Sequence, residues 1–366
     1  MIVLLEQKEF YRLNGLSVKE KNIPVDKTKI CIMEYSIMQI KMEYYMKILL
    51  LFVLLLLISC NPSQEKLCVI DRDVRTLVDS TFLRDIKQLQ IYNDTLYMLD
   101  GALGKVIKMD THLVGSAIDF ADSNHSSSSI IPVSIYVDGD SVYVMDANVR
   151  GIQSLSLKSK HGHITQLMGA SGTRFFVDKN HFYVSYVTEQ NCIMVVPEKA
   201  LLNDTNVVFI GENFHFSTAN ENRNRNIRYL LYDKKYYYAI SDNQPIIEKY
   251  ELGTNTLLHA FDFSDVPMVM ANIHFIESQI LDDSSYYVMI EDAYIYRNTI
   301  YLLCAKLGEN YTRNTIIEVE LEPNMYVSNI YKLPGKSYTS FCVYKSNIYA
   351  FNKENNSLER LKMGNK

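Results

Sequence analysis

One phrase recurs six times along this chain: an apolar stretch, a short polar turn, then apolar-Tyr-apolar. It runs over Leu89–Asp100, Val133–Asp146, Arg174–Ser185, Arg228–Ser241, Ala293–Cys304 and Phe341–Asn352. The aligned tyrosines are Tyr97, Tyr143, Tyr183, Tyr238, Tyr301 and Tyr349, spaced by 46, 40, 55, 63 and 48 residues. Two β runs around Asn-Asp, Asp-Gly, Lys-Asn, Lys-Lys, Arg-Asn or Lys-Ser spell a hairpin. A third run follows each hairpin, at Lys105–Met109, Gly151–Leu157, Cys192–Val196, Ile246–Tyr250, Thr315–Leu321 and Ser357–Leu361. A fourth follows in most units, as in His163–Met168 and Leu257–Phe261. Four strands per unit, repeated at this spacing, is the pattern of a β-propeller.

No helical period runs through residues 67–366. The expected fold is therefore all-β: a six-bladed β-propeller with four-stranded blades, forming one domain over 67–366. The 27 tyrosines, the absence of Trp and a 48% hydrophobic content suit such pleated, half-buried surfaces. The sixth unit holds only three strands, because few residues follow Leu361. An open ring would leave a raw sheet edge. Leu67–Asp71 has strand character, and Thr76–Val78 has it more weakly. This N-terminal segment is expected to supply the missing outer strand and close the ring.

Residues 46–60 read MKILLLFVLLLLISC. Lys47 is a positive n-region, and Ile48–Ile58 is an apolar run of 11 residues. A membrane-spanning helix needs about 20 residues, so this run reads as the core of a secretory signal peptide. Its end, Leu57-Ile58-Ser59-Cys60, resembles the lipobox of bacterial lipoproteins. That resemblance implies cleavage before Cys60 and acylation of its thiol. The chain then divides into 1–45, a start-site artefact or a cytoplasmic extension; 46–59, signal peptide; 60–66, a polar tether; and 67–366, the propeller. A lipobox followed by six Tyr-rich units resembles the six-bladed propeller lipoproteins of Bacteroides-type bacteria, relatives of NHL and TolB-like propellers. The resemblance implies a fold and a lipid-anchored place in the cell envelope, at the outer membrane. Periplasmic and surface orientations both stay open. It supplies no catalytic residues.

In a propeller, the loops joining strands two and three open on the same face as the blade-to-blade links. Those links are unequal here. Gly169–Thr173 is short, Asp122–Ser129 is polar, Gly211–Asn226 is longer and Asp262–Tyr287 is longest. Arg223, Arg225 and Arg228 cluster in sequence and could hold a carboxylate, a phosphate or an acidic sugar. The alternative is a solvated loop with Arg228 stacked on tyrosines. Arg150 and Arg174 are further basic candidates. His161 and His163 lack the additional ligands a metal site needs and fall in an outer-edge turn. Glu291-Asp292 and Asp282-Asp283 are neighbours on the chain, so they point apart and make poor acid–base pairs. Cys68, Cys192, Cys304 and Cys342 read as buried thiols.

A net charge of −5 gives no basic surface for nucleic acid. No cofactor or metal is expected. The leading reading is a membrane-anchored binding protein that takes a peptide, glycan or protein partner on its loop-rich rim. The alternative is a propeller hydrolase or lyase acting on a carbohydrate or lactone.

Overall fold

The computed structural model describes residues 39, 41–50, 65–74, 83–110, 113, 115–118, 131–159, 162–199, 206–282, 284–308 and 310–364. The chain falls into two units, Met1–Pro62 and Ser63–Lys366. In the first, residues 41–50 are helical and exposed, with Lys47 paired to Glu43 across one turn at 3.0 Å. No helix among the described residues is long and apolar enough to cross a membrane. Cys60 and Thr76–Val78 lie outside the described residues.

The second unit enters through β1 (Glu65–Leu67) and β2 (Val69–Val74). Blade one is β3 (Ile86–Tyr92), β4 (Thr95–Asp100), β5 (Lys105–Asp110) and β6 (Gly115–Ile118). Blade two is β7 (Pro132–Asp138), β8 (Ser141–Asp146), β9 (Gly151–Ser156) and β10 (Gly162–Gln166). Blade three is β11 (Phe176–Asp178), β12 (His181–Ser185), β13 (Asn191–Pro197) and β14 (Val208–Glu212). Blade four is β15 (Arg228–Tyr232), β16 (Tyr236–Ser241), β17 (Ile246–Glu251) and β18 (Leu257–Asp262). Blade five is β19 (Ile290–Tyr296), β20 (Thr299–Lys306), β21 (Thr312–Glu320) and β22 (Tyr326–Lys332). Blade six is β23 (Tyr338–Tyr344), β24 (Asn347–Asn352) and β25 (Ser357–Lys362), completed on the outside by β2.

The protein is thus a six-bladed β-propeller closed by its N-terminal strand. β2 runs antiparallel to β25, from Val69 opposite Lys362 to Val74 opposite Leu358. One strand goes beyond the sequence reading. β1 adds to blade five in parallel, Leu67 opposite Lys332, so Glu65 and Lys66 are strand rather than tether. The entering chain therefore stitches two blades. Between its two strands Cys68 donates its N–H to Lys332 O and buries its side chain beside Tyr331.

The repeat maps onto the blades position by position. Each aligned tyrosine is the third residue of its blade's second strand, and all six are buried. The core lies in the clefts between neighbouring blades. Tyr143 of blade two meets Phe182 of blade three edge-on at 5.8 Å, and Tyr183 of blade three lies 5.5 Å from Tyr237 of blade four. Such aromatic pairs are worth about 0.5–1.5 kcal/mol beyond their area. The hairpin turns use left-handed backbone, at Asn93 and Asp94, Gly139, Lys179 and Asn180, Lys234, Arg297 and Lys345. That geometry matches the twist of the flanking strands, so even Lys and Arg are held in it.

In blades one, two, four and six a short polar residue at the opposite end of the second strand ties down the next turn. Asp100 accepts N–H bonds from Arg84, Ala102 and Leu103, and Asp146 from Ile131 and Asn148. Ser241 accepts from Asn243 and Gln244. The four cysteines Cys68, Cys192, Cys304 and Cys342 are buried free thiols. Burial pushes Cys68 and Cys192 each up to about 11, so neither is a ready nucleophile.

The two longest links contain helices that no period in the sequence announced. Ala219–Arg225 forms α1 and Pro267–Glu277 forms α2. α1 starts with a capping box: Thr218 Oγ1 accepts from Glu221 N, and Glu221 Oε2 accepts from Thr218 N, both at 3.1 Å. α2 starts on Pro267, whose missing N–H costs nothing in a first turn. Buried Asn272 pins α2 to blade five, donating to Ala305 O and accepting from Leu307 N.

Candidate functional site

Two cavities flank the ring, on opposite faces. The first, of about 340 Å³, opens at the hairpin end of the central channel. Its walls come from the innermost strands and include Gln90, Tyr136, Arg174, Phe176, Tyr232 and Tyr294. A buried ion pair spans the channel. Arg174 Nε donates to Asp292 Oδ1 at 2.6 Å and Nη2 to Oδ2 at 2.8 Å. The same guanidinium donates to Leu89 O at 3.0 Å and Phe341 O at 2.8 Å, joining blades one, three, five and six. Asp292 also accepts from Ser340 Oγ and the N–H of Phe341. Burial works against the Arg174 charge, and Asp292 more than offsets it, so Arg174 holds its proton more firmly than usual.

Gln88 and Gln90 perform the same task between blades one and two. Each gives its amide N–H to, and takes an N–H from, the facing edge of β7. Innermost strands are sheet edges, and these side chains satisfy backbone groups that would otherwise be stranded in a narrow channel. Arg174, Asp292, Gln88 and Gln90 are thus spent on holding the ring together.

The second cavity, of about 300 Å³, lies on the face that carries the blade-to-blade links. Its floor is Ile246 and Met289, and Ile273 and Ile276 of α2 form one wall with Leu281. Asn243, Gln244, Tyr286 and Tyr287 add polar edges. Two exposed carboxylates, Asp262 and Glu277, stand at its margin. The two long links build it jointly. Arg225 of α1 pairs with Glu221 at 3.1 Å, lies over the ring of Phe216 and donates to Ser285 O at 3.2 Å. Asn243 donates to Arg225 O at 3.0 Å, which fixes α1 on blade four.

Asp242, just behind this cavity, is buried and takes a hydrogen bond from Asn243 at 2.7 Å. Burial lifts its carboxyl to about 7, against the lowering pull of Arg228. Its ordinary unfolded value is about 3.9, so the neutral form is the one the fold favours. Stability from this group is complete below the unfolded value and is lost as pH rises through about 7, with a slope of up to about 1.4 kcal/mol per pH unit. Asp242→Asn is expected to gain on the parent protein steadily between mildly acid and neutral pH. Urea unfolding at several pH values checks this, and a constant difference would contradict it.

The arginines singled out in the sequence do not form one cluster. Arg150 is exposed in the β8–β9 turn, with φ of 51°. Arg223 is exposed on α1, Arg225 lines the second cavity and Arg174 pins the channel. Arg228 is fully buried in β15, paired with Glu248 at 3.3 Å and covered by Phe214 at 4.2 Å, not by tyrosines. Asp292 and Glu291 separate as strand neighbours should, Glu291 facing Tyr311 and Arg313. His163 sits in β10 and bridges blades two and three. Its Nε2 donates to Glu198 O at 3.0 Å, which leaves Nδ1 to accept from Ser154 Oγ at 2.6 Å. His161, Asp283 and the Asp122–Ser129 link lie outside the described residues. Among the described residues no group of three His, Cys, Asp or Glu side chains could hold a metal ion.

No protein-family model matches the sequence, and no curated protein matches it. Solved structures with related folds do. The β-propeller domain of Cps50 (Swd1) from Myceliophteria thermophila is 8% identical, covers 81% of this chain and 100% of its own, and superposes with a TM-score of 0.46. Virginiamycin B lyase from Staphylococcus aureus is 11% identical over 75% of this chain and 80% of its own, at 0.44. Hydrazine synthase from Kuenenia stuttgartiensis is 10% identical over 80% and 98%, at 0.47. At such scores the fold rests on the sheets described above and on nothing borrowed.

Proposed function

We propose that this chain is a lipid-anchored protein of the cell envelope that captures a peptide segment, free or within a protein partner, in the cavity beside blade four. It would then belong with the six-bladed propeller lipoproteins of the Bacteroides type. One observation carries the binding half of this reading: the two longest links fold into helices that wall an apolar cavity whose margin bears Asp262 and Glu277. An aliphatic floor takes an apolar side chain. Two carboxylates at the lip favour a basic group beside it. Deeper in the channel, by contrast, Arg174, Asp292, Gln88 and Gln90 are already paired.

The anchoring half rests on the order Lys47, apolar run, Ser59, Cys60. The test has two parts. In the first, the immobilised mature protein selects from displayed random peptides. Expected winners carry an apolar residue next to Lys or Arg, and Asp262→Lys with Glu277→Lys shifts the preference to acidic neighbours. Selection that is absent, or unmoved by the charge reversal, overturns the cavity as the site. In the second part, Cys60→Ala abolishes incorporation of labelled fatty acid and releases the protein from membranes. Full membrane retention of that variant rejects the lipobox.

A further inference from the structure

We infer that the stitch between blades five and six is a membrane-seating surface, on which the ring rests edge-on against the bilayer. The inference rests on the lipid anchor proposed at Cys60. β1 and β2 run along the outer circumference of the ring. Within them Cys68 turns inward and is buried, while Leu67, Val69 and Ile70 are 74%, 65% and 48% exposed. Single exposed apolar residues are ordinary on a soluble protein, but three within four consecutive positions on a sheet edge are not. An uncovered apolar edge also invites pairing with other chains, which natural edges avoid.

Charge points to the same partner. Val69 lies opposite exposed Lys362, and paired residues share a face of the sheet; Lys332, opposite Leu67, turns its ammonium onto Thr315. An apolar edge with an exposed lysine beside it fits the boundary between acyl chains and anionic headgroups.

Chain length completes the case. Leu67 lies seven positions after Cys60. At about 3.3–3.6 Å per residue, even a fully extended chain spans no more than about 25 Å. With lipid on Cys60, the apolar stitch is therefore held within about 25 Å of the bilayer surface, close enough to seat on it. With its circumference seated, the ring stands on its side. The channel mouth and the cavity beside blade four then both open parallel to the membrane, free to meet a partner in the same layer.

The absence of Trp from the chain makes this directly measurable. Leu67→Trp and Val69→Trp each place one reporter in the stitch. Ile164→Trp places one on the exposed outer strand of blade two, across the ring. Each lipidated mature variant, beginning at Cys60, is reconstituted into vesicles of phosphatidylethanolamine and phosphatidylglycerol with brominated acyl chains. The expected result is blue-shifted emission and several-fold stronger quenching at positions 67 and 69 than at 164. Protein that floats with the vesicles but shows equal, weak quenching at all three positions overturns the seating alone. Protein that does not float with the vesicles overturns the anchor and the seating together.

Discussion

Removal of Glu65–Val74 is expected to unfold the propeller rather than loosen one edge of it. β2 is the outer strand of blade six, aligned with five residues of β25, and β1 adds three more partners on blade five. Their loss removes on the order of eight hydrogen-bonded backbone contacts, each worth about 1 kcal/mol net. It also uncovers the cleft that Cys68 fills, where Tyr331, Leu333, Leu358 and Leu361 pack. The sum rivals the roughly 5–15 kcal/mol that holds an ordinary domain folded. In a ring the damage does not stay local, because each blade is buried only by its neighbours.

Thermal unfolding followed by far-UV circular dichroism provides the measurement. The truncated protein should show no cooperative transition at the parent temperature. Cys68→Asp isolates the cleft from the ladder: a charge forced into that apolar position costs several kcal/mol, while Leu67→Asp on the exposed side leaves the midpoint nearly unchanged. A truncated protein that melts with the parent would show that the ring is closed by something other than this stitch.

The closing strand and the six blades were legible in the sequence for one reason. Each blade repeats the same local problem, a hairpin with a buried Tyr on its second strand, and local problems leave local signals. The three-residue β1 leaves none, because a parallel strand that short has neither period nor turn chemistry of its own. α1 did leave a signal in Thr218-Ala-Asn-Glu221, a capping box that hairpin-scale reading passes over. α2 reads PMVMANIHFIE and shows little sidedness, so no 3.6-residue period separates it from a strand. Link length pointed to the face on which the cavity forms. The lining could not be read in advance, since Asn243, Asp262 and Met289 come from different strands and turns. The same holds for Arg174 and Asp292, which are 118 residues apart in the chain and meet only once the ring closes.

Replacing Arg174 with Met should cost about 3–5 kcal/mol, the usual penalty for stranding one member of a buried pair. The volume is nearly kept, so the loss reports on charge and hydrogen bonds rather than on a cavity. Asp292 would remain beneath the channel with its carboxylate unmatched, and Leu89 O and Phe341 O would each lose a donor. Arg174→Lys should recover only part of the loss. A single ammonium cannot make the two-pronged contact with Asp292 and still reach both carbonyls. The double variant Arg174→Met with Asp292→Leu tests whether the pair is replaceable by apolar filling, as some buried pairs are. Here recovery should be incomplete, because Asp292 also receives the hydroxyl of Ser340 and the N–H of Phe341, and leucine leaves both donors unpaired. Guanidinium unfolding of the four proteins gives the ranking. Peptide capture at the cavity beside blade four, assayed well below the variants' midpoints, should be unchanged in all of them. Loss of capture in a folded Arg174→Met protein would mean that the channel belongs to the binding site after all; retention would leave this arginine as the pin that draws four blades to one axis.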